Sequence, residues 1–284
     1  METAIAAQDP RLRVLAPVRE WPLKNLADKQ RYARNRGIPI DERLDERLAV
    51  DRNLWGVSIY LSGLADAWQE APGNTFVLTR APEQAPDTPL VLTIGFEAGV
   101  PNRLDGKPLP LLPLVRELNR VGGEHSIGRS DVVEDRMFGI KSREFYEVPT
   151  PTLLLAAHRE LQSLVHSREM IAAREVVSRR YAELVYMGLW FSDLRRALQG
   201  FFDVTQRLVT GEVRLKLYKG SVSVLGRRSP HSLYDSRLAN QSNLEFFDNQ
   251  WAQGFTSLWA LPARLAALQQ LGEPVAPVPP VPPA

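Results

Sequence analysis

Thiol chemistry is closed to this chain, because its 284 residues include no cysteine. Thiolate nucleophiles, disulfides and zinc–thiolate sites are therefore excluded, and reactive groups must come from histidine, carboxylate, hydroxyl and guanidinium side chains. The four histidines, His125, His158, His166 and His231, have no spacing that matches a metal site. His158 and His166 lie eight apart on a predicted helix, where a structural or surface role is expected. No G-x-x-x-x-G-K-[ST], G-x-G-x-x-G, H-E-x-x-H or G-x-S-x-G motif occurs. No local pattern marks out polar side chains such as Ser58 in DRNLWGVS, Glu134 in VVEDR and Tyr146 in SREFYE. Taken singly they read as a loop hydroxyl, a strand-end ion-pair carboxylate and a half-buried core tyrosine.

The elements that must hold such groups can be read from pattern. At 44% hydrophobic and 24% charged, the composition is ordinary for a globular protein with one large core or two small ones. The net charge of +2 comes from interspersed, not blocked, basic residues, so a nucleic-acid or anionic membrane surface is not indicated. No apolar run reaches the roughly 18 residues of a membrane span, and the N-terminus lacks a signal-peptide pattern. A cytoplasmic protein is expected.

RVLAPVREW (13–21) contains a short apolar run closed by Pro17, the pattern of a buried strand without obvious neighbours. Asn25 can cap a helix to about Arg36, with Asp28 near its positive end and Gly37 and Pro39 to stop it. The following stretch, through Asn74, has no clean period and is predicted to be a linker or binding loop. Its YLSGLADAW (60–68) superficially matches a Ser-Gly-Gly-x-Asp pyrophosphate loop but lacks the second glycine, and no helix start follows.

Leu90, Leu92, Ile94 and Phe96 alternate with smaller or polar residues as a strand with one apolar face. Leu111, Leu114, Val115 and Leu118 predict a helix ended by Gly122 and Gly123. SDVVED and RMFGI predict two short strands, Thr152 to Gly188 long helices broken near Ser167, and Asp193 to Leu208 a further helix. EVRLKLYKGSVSVLG (212–226) predicts a hairpin about Lys219-Gly220, with Leu217 opposite Val222, Leu215 opposite Val224 and Lys216 opposite Ser223. ARLAALQQL predicts a helix, and GEPVAPVPPVPPA an extended solvated tail. Strands and helices do not alternate regularly, so the expected class is α+β and not a doubly wound sheet.

Longer stretches carry a family resemblance. DRNLWGVS, GGEHSIGRSDVVEDRMFGIKSREFYE, LLLAAHRELQSL, YAELVYMGLWFSDLR, VTGEVRLKLYKGSVSVLGRRSPHSLYD and GFTSLWAL resemble, in order and spacing, the C-terminal part of argininosuccinate synthase, over roughly residues 12–262. The resemblance implies an α+β synthetase domain with a mixed sheet, long helices and a hairpin near its end. Residues 1–45 would be the end of a nucleotide-binding domain (strand plus helix), 46–262 the synthetase domain and 263–284 the helix end and disordered tail.

It implies a ligase of arginine biosynthesis that condenses citrulline with aspartate, consuming ATP and releasing AMP and pyrophosphate, usually as a homotetramer. The family's glycine-rich ATP loop belongs to a domain that this stretch does not resemble, so ATP and its Mg would be bound only with a partner domain, and the isolated chain is expected to be inactive. The partners implied are citrulline, aspartate and either copies of itself, a separate ATP-binding subunit or an intact synthase. A non-catalytic paralogue that binds or modifies an oligomer is the alternative.

By resemblance Ser58, Glu134 and Tyr146 contact citrulline, Glu134 near its amino group; a partner serine falls at Ala49. Glu144, Pro151 and Ser126 stand where the family has glycines. A proline in place of a needed glycine costs about 1 kcal/mol or more, so a changed loop shape is expected at Pro151.

Overall fold

The computed structural model describes residues 2–40, 48–61, 64, 66–239 and 250–274. It contains two compact units, residues 1–233 and 234–284.

In the first unit, α1 (Glu2–Gln8) and α2 (Leu26–Asn35) flank the RVLAPVREW stretch. The Asn25 side chain accepts from the Asp28 N–H at 2.8 Å, the expected cap, and Gly37 takes a left-handed φ of 66° after the helix. The predicted strand at 13–16 does not form. Pro17–Arg19 is a single 3-10 turn, and Leu15 is 84% exposed. A strand needs a neighbour to take its backbone groups, and among the described residues none is offered.

Two sheets follow. β1 (Leu48–Asn53), β2 (Gly56–Leu61), β6 (Arg129–Asp135) and β7 (Lys141–Glu147) form one, in the order β1-β2-β7-β6. β3 (Leu90–Glu97), β4 (Val100–Leu104), β5 (Lys107–Pro108), β8 (Gly211–Tyr218) and β9 (Ser221–Arg228) form the other, in the order β5-β4-β3-β8-β9. The α+β class holds, and every ladder among the described residues is antiparallel, where a mixed sheet was expected.

The β1–β2 hairpin corrects the reading of 48–61 as a loop or linker. Its alternation is real, since Val57 and Ile59 are buried, but the turn at Leu54 and Trp55 lacks the usual Asn-Gly signal. RMFGI is likewise a turn and not a strand: the second strand is KSREFYE, and Gly139 with φ 82° closes the connection.

The helices pack on the five-stranded sheet. α3 (Leu111–Glu124) and α4 (Pro149–Val165) bury Leu114, Leu118, Leu153, Ala157 and Leu161 against Leu92, Ile94, Val213, Leu215 and Leu217. α3 includes Gly122 and Gly123 and ends one residue later, at Glu124. A Cβ on Gly122 would lie 2.8 Å from Pro149 Cβ, and one on Gly123 would lie 3.0 Å from the Leu78 carbonyl, so the glycines serve close packing. Pro151 sits in the first turn of α4, where a missing N–H costs nothing, so the substitution is absorbed by a helix start. Ser126 does occupy a glycine-like conformation, φ 64°, and its hydroxyl donates to the Arg80 carbonyl.

α5 (Arg168–Tyr186) begins at Ser167, whose side chain caps it, and α6 (Asp193–Thr205) is capped by Ser192. The β8–β9 register is the expected one, Leu217 opposite Val222, Leu215 opposite Val224 and Lys216 opposite Ser223, about a left-handed Lys219 and Gly220.

The second unit contains α7 (Ser236–Ala239) and α8 (Gln250–Leu271). GFTSLWAL and ARLAALQQL are parts of α8, which passes through Pro262. Most of the predicted Pro-rich tail, 275–284, lies outside the described residues.

Candidate functional site

Antiparallel pairing brings the three candidate side chains to one face of the four-stranded sheet. Ser58 is directly opposite Asp51 on β1 and Tyr146 on β7, and Tyr146 is opposite Ser130 on β6. A polar row thus crosses all four strands. Glu134 is opposite Ser142, four residues from Tyr146 along β7, and the tyrosine side chain leans along the strand to reach it. Tyr146 Oη donates to Glu134 Oε2 at 2.9 Å. Burial, followed by this bond to a carboxylate, holds the phenol well above its ordinary pKa, so it remains a protonated donor.

Ala49 is opposite Tyr60, two pairs along from the Ser58–Asp51 pair, and contributes only a methyl group to this face. Glu144 lies between Ser142 and Tyr146 in ordinary strand geometry, paired with Val132, so no special backbone is lost where it stands. Its carboxyl is pushed up mainly by burial and then by the nearby Glu134; Arg136, 3.9 Å away, counteracts this only in part. The ionised form is therefore the strained one in the folded state. Glu144→Gln should raise stability at pH 7 by up to about 1 kcal/mol. Because the folded carboxyl titrates above its ordinary value of 4.5, the gain should fade as pH falls below that range, where both states are neutral. Urea midpoints at pH 7 and pH 4 measure this.

The reverse face of the same sheet is dry. Val57, Ile59 and Phe145 are buried there against Phe76 and Leu78. Into this face projects Glu147, with no exposed surface, and sequence reasoning did not single it out. Its Oε1 accepts from the Thr79 N–H at 2.6 Å, the Thr79 hydroxyl at 2.7 Å and the Leu78 N–H at 2.9 Å; its Oε2 accepts from the Val77 N–H at 2.7 Å.

Arg129, opposite Glu147 on β6, donates from Nε to the Thr79 hydroxyl at 2.6 Å and lies over the Phe76 ring at 4.2 Å. Burial lowers this guanidinium's pKa, with the Glu147 carboxylate acting the other way. The segment 76–79 is thus strapped to the strand that carries Tyr146. The available signal was period-two alternation: Phe145 inward and Tyr146 outward places Glu147 inward, where a carboxylate must find donors.

Gly56, at the β1–β2 turn, is required by close approach. At φ 157° a Cβ would come within 2.3 Å of the Glu147 carbonyl.

His158 and His166 lie apart from this face, in the packing of α4 against α6 and the turn after it. His158 Nε2 donates to Gln206 Oε1 at 2.8 Å, and His166 Nε2 to the Thr205 carbonyl at 2.9 Å. Both are structural, as expected. Among the described residues no three His, Asp or Glu side chains converge into a group able to hold a metal ion, and no helix is long and apolar enough to cross a membrane.

The face offers one carboxylate held by a tyrosine, a serine hydroxyl in the next strand and a second, strained carboxyl. That set can pair with an ammonium group and hydrogen-bond a polar amino-acid side chain.

A family model described as the argininosuccinate synthase C-terminal domain matches residues 48–266. An argininosuccinate synthase of Rubrobacter xylanophilus is 48% identical over 255 residues, covering 90% of this chain and 62% of the relative. Those of Streptococcus gordonii and Geobacillus kaustophilus are 45% and 46% identical, each covering 94% of this chain and 66% of the relative. The chain thus spans slightly less than two thirds of the length of these relatives. With most of its residues in the family's C-terminal domain, the chain belongs to the argininosuccinate synthase family.

Proposed function

We propose that this chain is the citrulline-holding part of an argininosuccinate synthase, which condenses citrulline with aspartate in arginine biosynthesis. The observation that carries the reading is the Ser58–Tyr146–Glu134 arrangement on one sheet face. The Glu134 carboxylate pairs with the α-ammonium of citrulline, Tyr146 fixes that carboxylate through Oε2, and Ser58 supplies a hydroxyl one strand away. Catalysis by these residues is positioning: they hold the ureido group in a fixed place for attack.

ATP, when bound, supplies the driving force by release of AMP and pyrophosphate. The residues of this chain do not fit that nucleotide, since neither a G-x-x-x-x-G-K-[ST] loop nor a complete Ser-Gly-Gly-x-Asp loop is present. ATP and aspartate are therefore assigned to another segment or subunit, and a homo-oligomer or hetero-complex in the cytoplasm is part of the same reading.

The test measures pyrophosphate release from ATP, citrulline and aspartate by this chain mixed with an ATP-binding half, alongside citrulline titration. Glu134→Gln and Tyr146→Phe should each weaken citrulline binding about tenfold. A lack of turnover together with a lack of citrulline binding would sink the proposal and leave a non-catalytic paralogue.

A further inference from the structure

The outer face of the five-stranded sheet carries an arginine cluster that the citrulline reading does not use. Thr93 on β3, Arg214 on β8 and Gly226 on β9 lie in one row across three strands. The next row is Gly95, Glu212 and Arg228. These two rows coincide with the sheet's two irregularities, register shifts at Gly95/Phe96 and at Arg214/Leu215. Bulges bend a strand and re-aim its side chains, and they concentrate beside functional sites.

A cavity of about 340 Å³ opens here, lined by Thr93, Glu212, Arg214, Gly226, Arg227 and Arg228. That volume is at the lower end of small-molecule pockets. Arg228 donates from Nε to Glu212 Oε2 at 2.9 Å, whereas Arg227, opposite the buried Val213, turns its guanidinium to the helix side and pairs with Glu160 of α4. Among the described residues Arg214 has no ion pair. Its Nη2 lies over Gly226, where a Cβ would reach it at 3.7 Å, so the absence of a side chain there keeps the space beside the guanidinium open. The Thr93 N–H is taken by Asp105 at 2.7 Å, and the residue lies on the cavity wall. An adjoining cavity shares Glu212 and Arg228 and adds Arg103, a second arginine without an ion pair among the described residues.

We propose that this face is a binding site for a small molecule bearing a multiply charged oxyanion, held bidentately by Arg214 and hydrogen-bonded by Thr93. The planar fork of a guanidinium matches either a phosphate or a carboxylate. The site lies on the other sheet from Ser58, Glu134 and Tyr146, so it stands or falls independently of citrulline binding.

The experiment titrates the full chain calorimetrically with inorganic phosphate and with succinate, at ionic strength held constant with chloride. At least one anion should bind with a Kd of about 1 mM or tighter. Arg214→Gln should weaken it about tenfold with an unchanged melting temperature, since this exposed side chain makes no ion pair in the fold. Gly226→Val should block the space while suiting an edge strand, because Gly226 has no positive φ. Binding of phosphate alone identifies phosphate esters as the class, of succinate alone dicarboxylates, and of both a general oxyanion site. Absence of heat with both anions, or equal affinity in wild type and both variants, would overturn the proposal.

Discussion

Glu147→Ala should lower the unfolding free energy by about 3–5 kcal/mol, the scale for leaving several buried donors and a nearby partly buried charge without their acceptor. The carboxylate is fully buried and accepts from three backbone N–H groups and the Thr79 hydroxyl. Its loss strands those donors in the interior and takes a favourable carboxylate away from Arg129. Glu147→Gln separates shape from charge. The amide keeps one acceptor but turns an NH2 toward backbone donors, so a smaller loss of about 2 kcal/mol is expected. Urea midpoints with an unchanged m-value measure both. A cost under about 1 kcal/mol for the alanine variant would show that the strap 76–79 is not held by this carboxylate. The effect should extend to the candidate site, because β7 carries Glu147 on one face and Tyr146 on the other.

Acid should destabilise this protein from about pH 6.5 downward, with His158 as a principal cause. Burial beneath Phe96 pushes its imidazole pKa down to about 4, against an ordinary 6.5; nearby Arg174 and His166 act in the same direction, and the bond to Gln206 opposes them. Because the folded pKa is the lower one, the unfolded chain takes up this proton first. The stability is therefore full above about pH 6.5 and is lost progressively to about pH 4. At 1.36 kcal/mol per pKa unit, the total loss is about 3 kcal/mol, of which about 2 kcal/mol falls by pH 5. His125, also lowered by burial, adds to the slope, whereas the raised Glu144 works against it. His158→Gln, which retains an amide donor, should flatten the profile by about 2 kcal/mol between pH 7 and pH 5. Parallel profiles for the variant and the wild type would rule out this histidine as the cause.

What was legible in the sequence was whatever a local period or cap encodes. The β8–β9 hairpin, the helix capped at Asn25, the break between helices near Ser167, and the apolar face of Leu92, Ile94 and Phe96 all follow from patterns within a few residues. The errors lie where a distant partner decides. Gly122 and Gly123 are usual helix stops and α3 ends one residue past them, but their local pattern does not show that Pro149 and Leu78 leave no room for a side chain at either. Val14 and Leu15 are strand-like, yet a strand without neighbours does not form. RMFGI looks extended because its apolar residues are contiguous, but they make an exposed turn.

The candidate site was partly legible. The resemblance pointed to Ser58, Glu134 and Tyr146, and the pairing of β2, β7 and β6 places them on one face. Glu147 was missed because its worth depends on donors about 70 residues away in the chain.

That separation also bears on the order in which the molecule folds. The β6–β7 hairpin is local, with only a short turn between its strands, whereas seating 77–79 on Glu147 requires a loop of about 70 residues to close. Loop-closure entropy is lost before such a contact returns any energy, so hairpin formation should precede docking of the strap. Mutations at Glu147 should then accelerate unfolding while leaving the refolding rate nearly unchanged. The carboxylate that fixes the site's backing would act as a latch on escape from the native state, setting how long the assembled face persists and not how fast it is made.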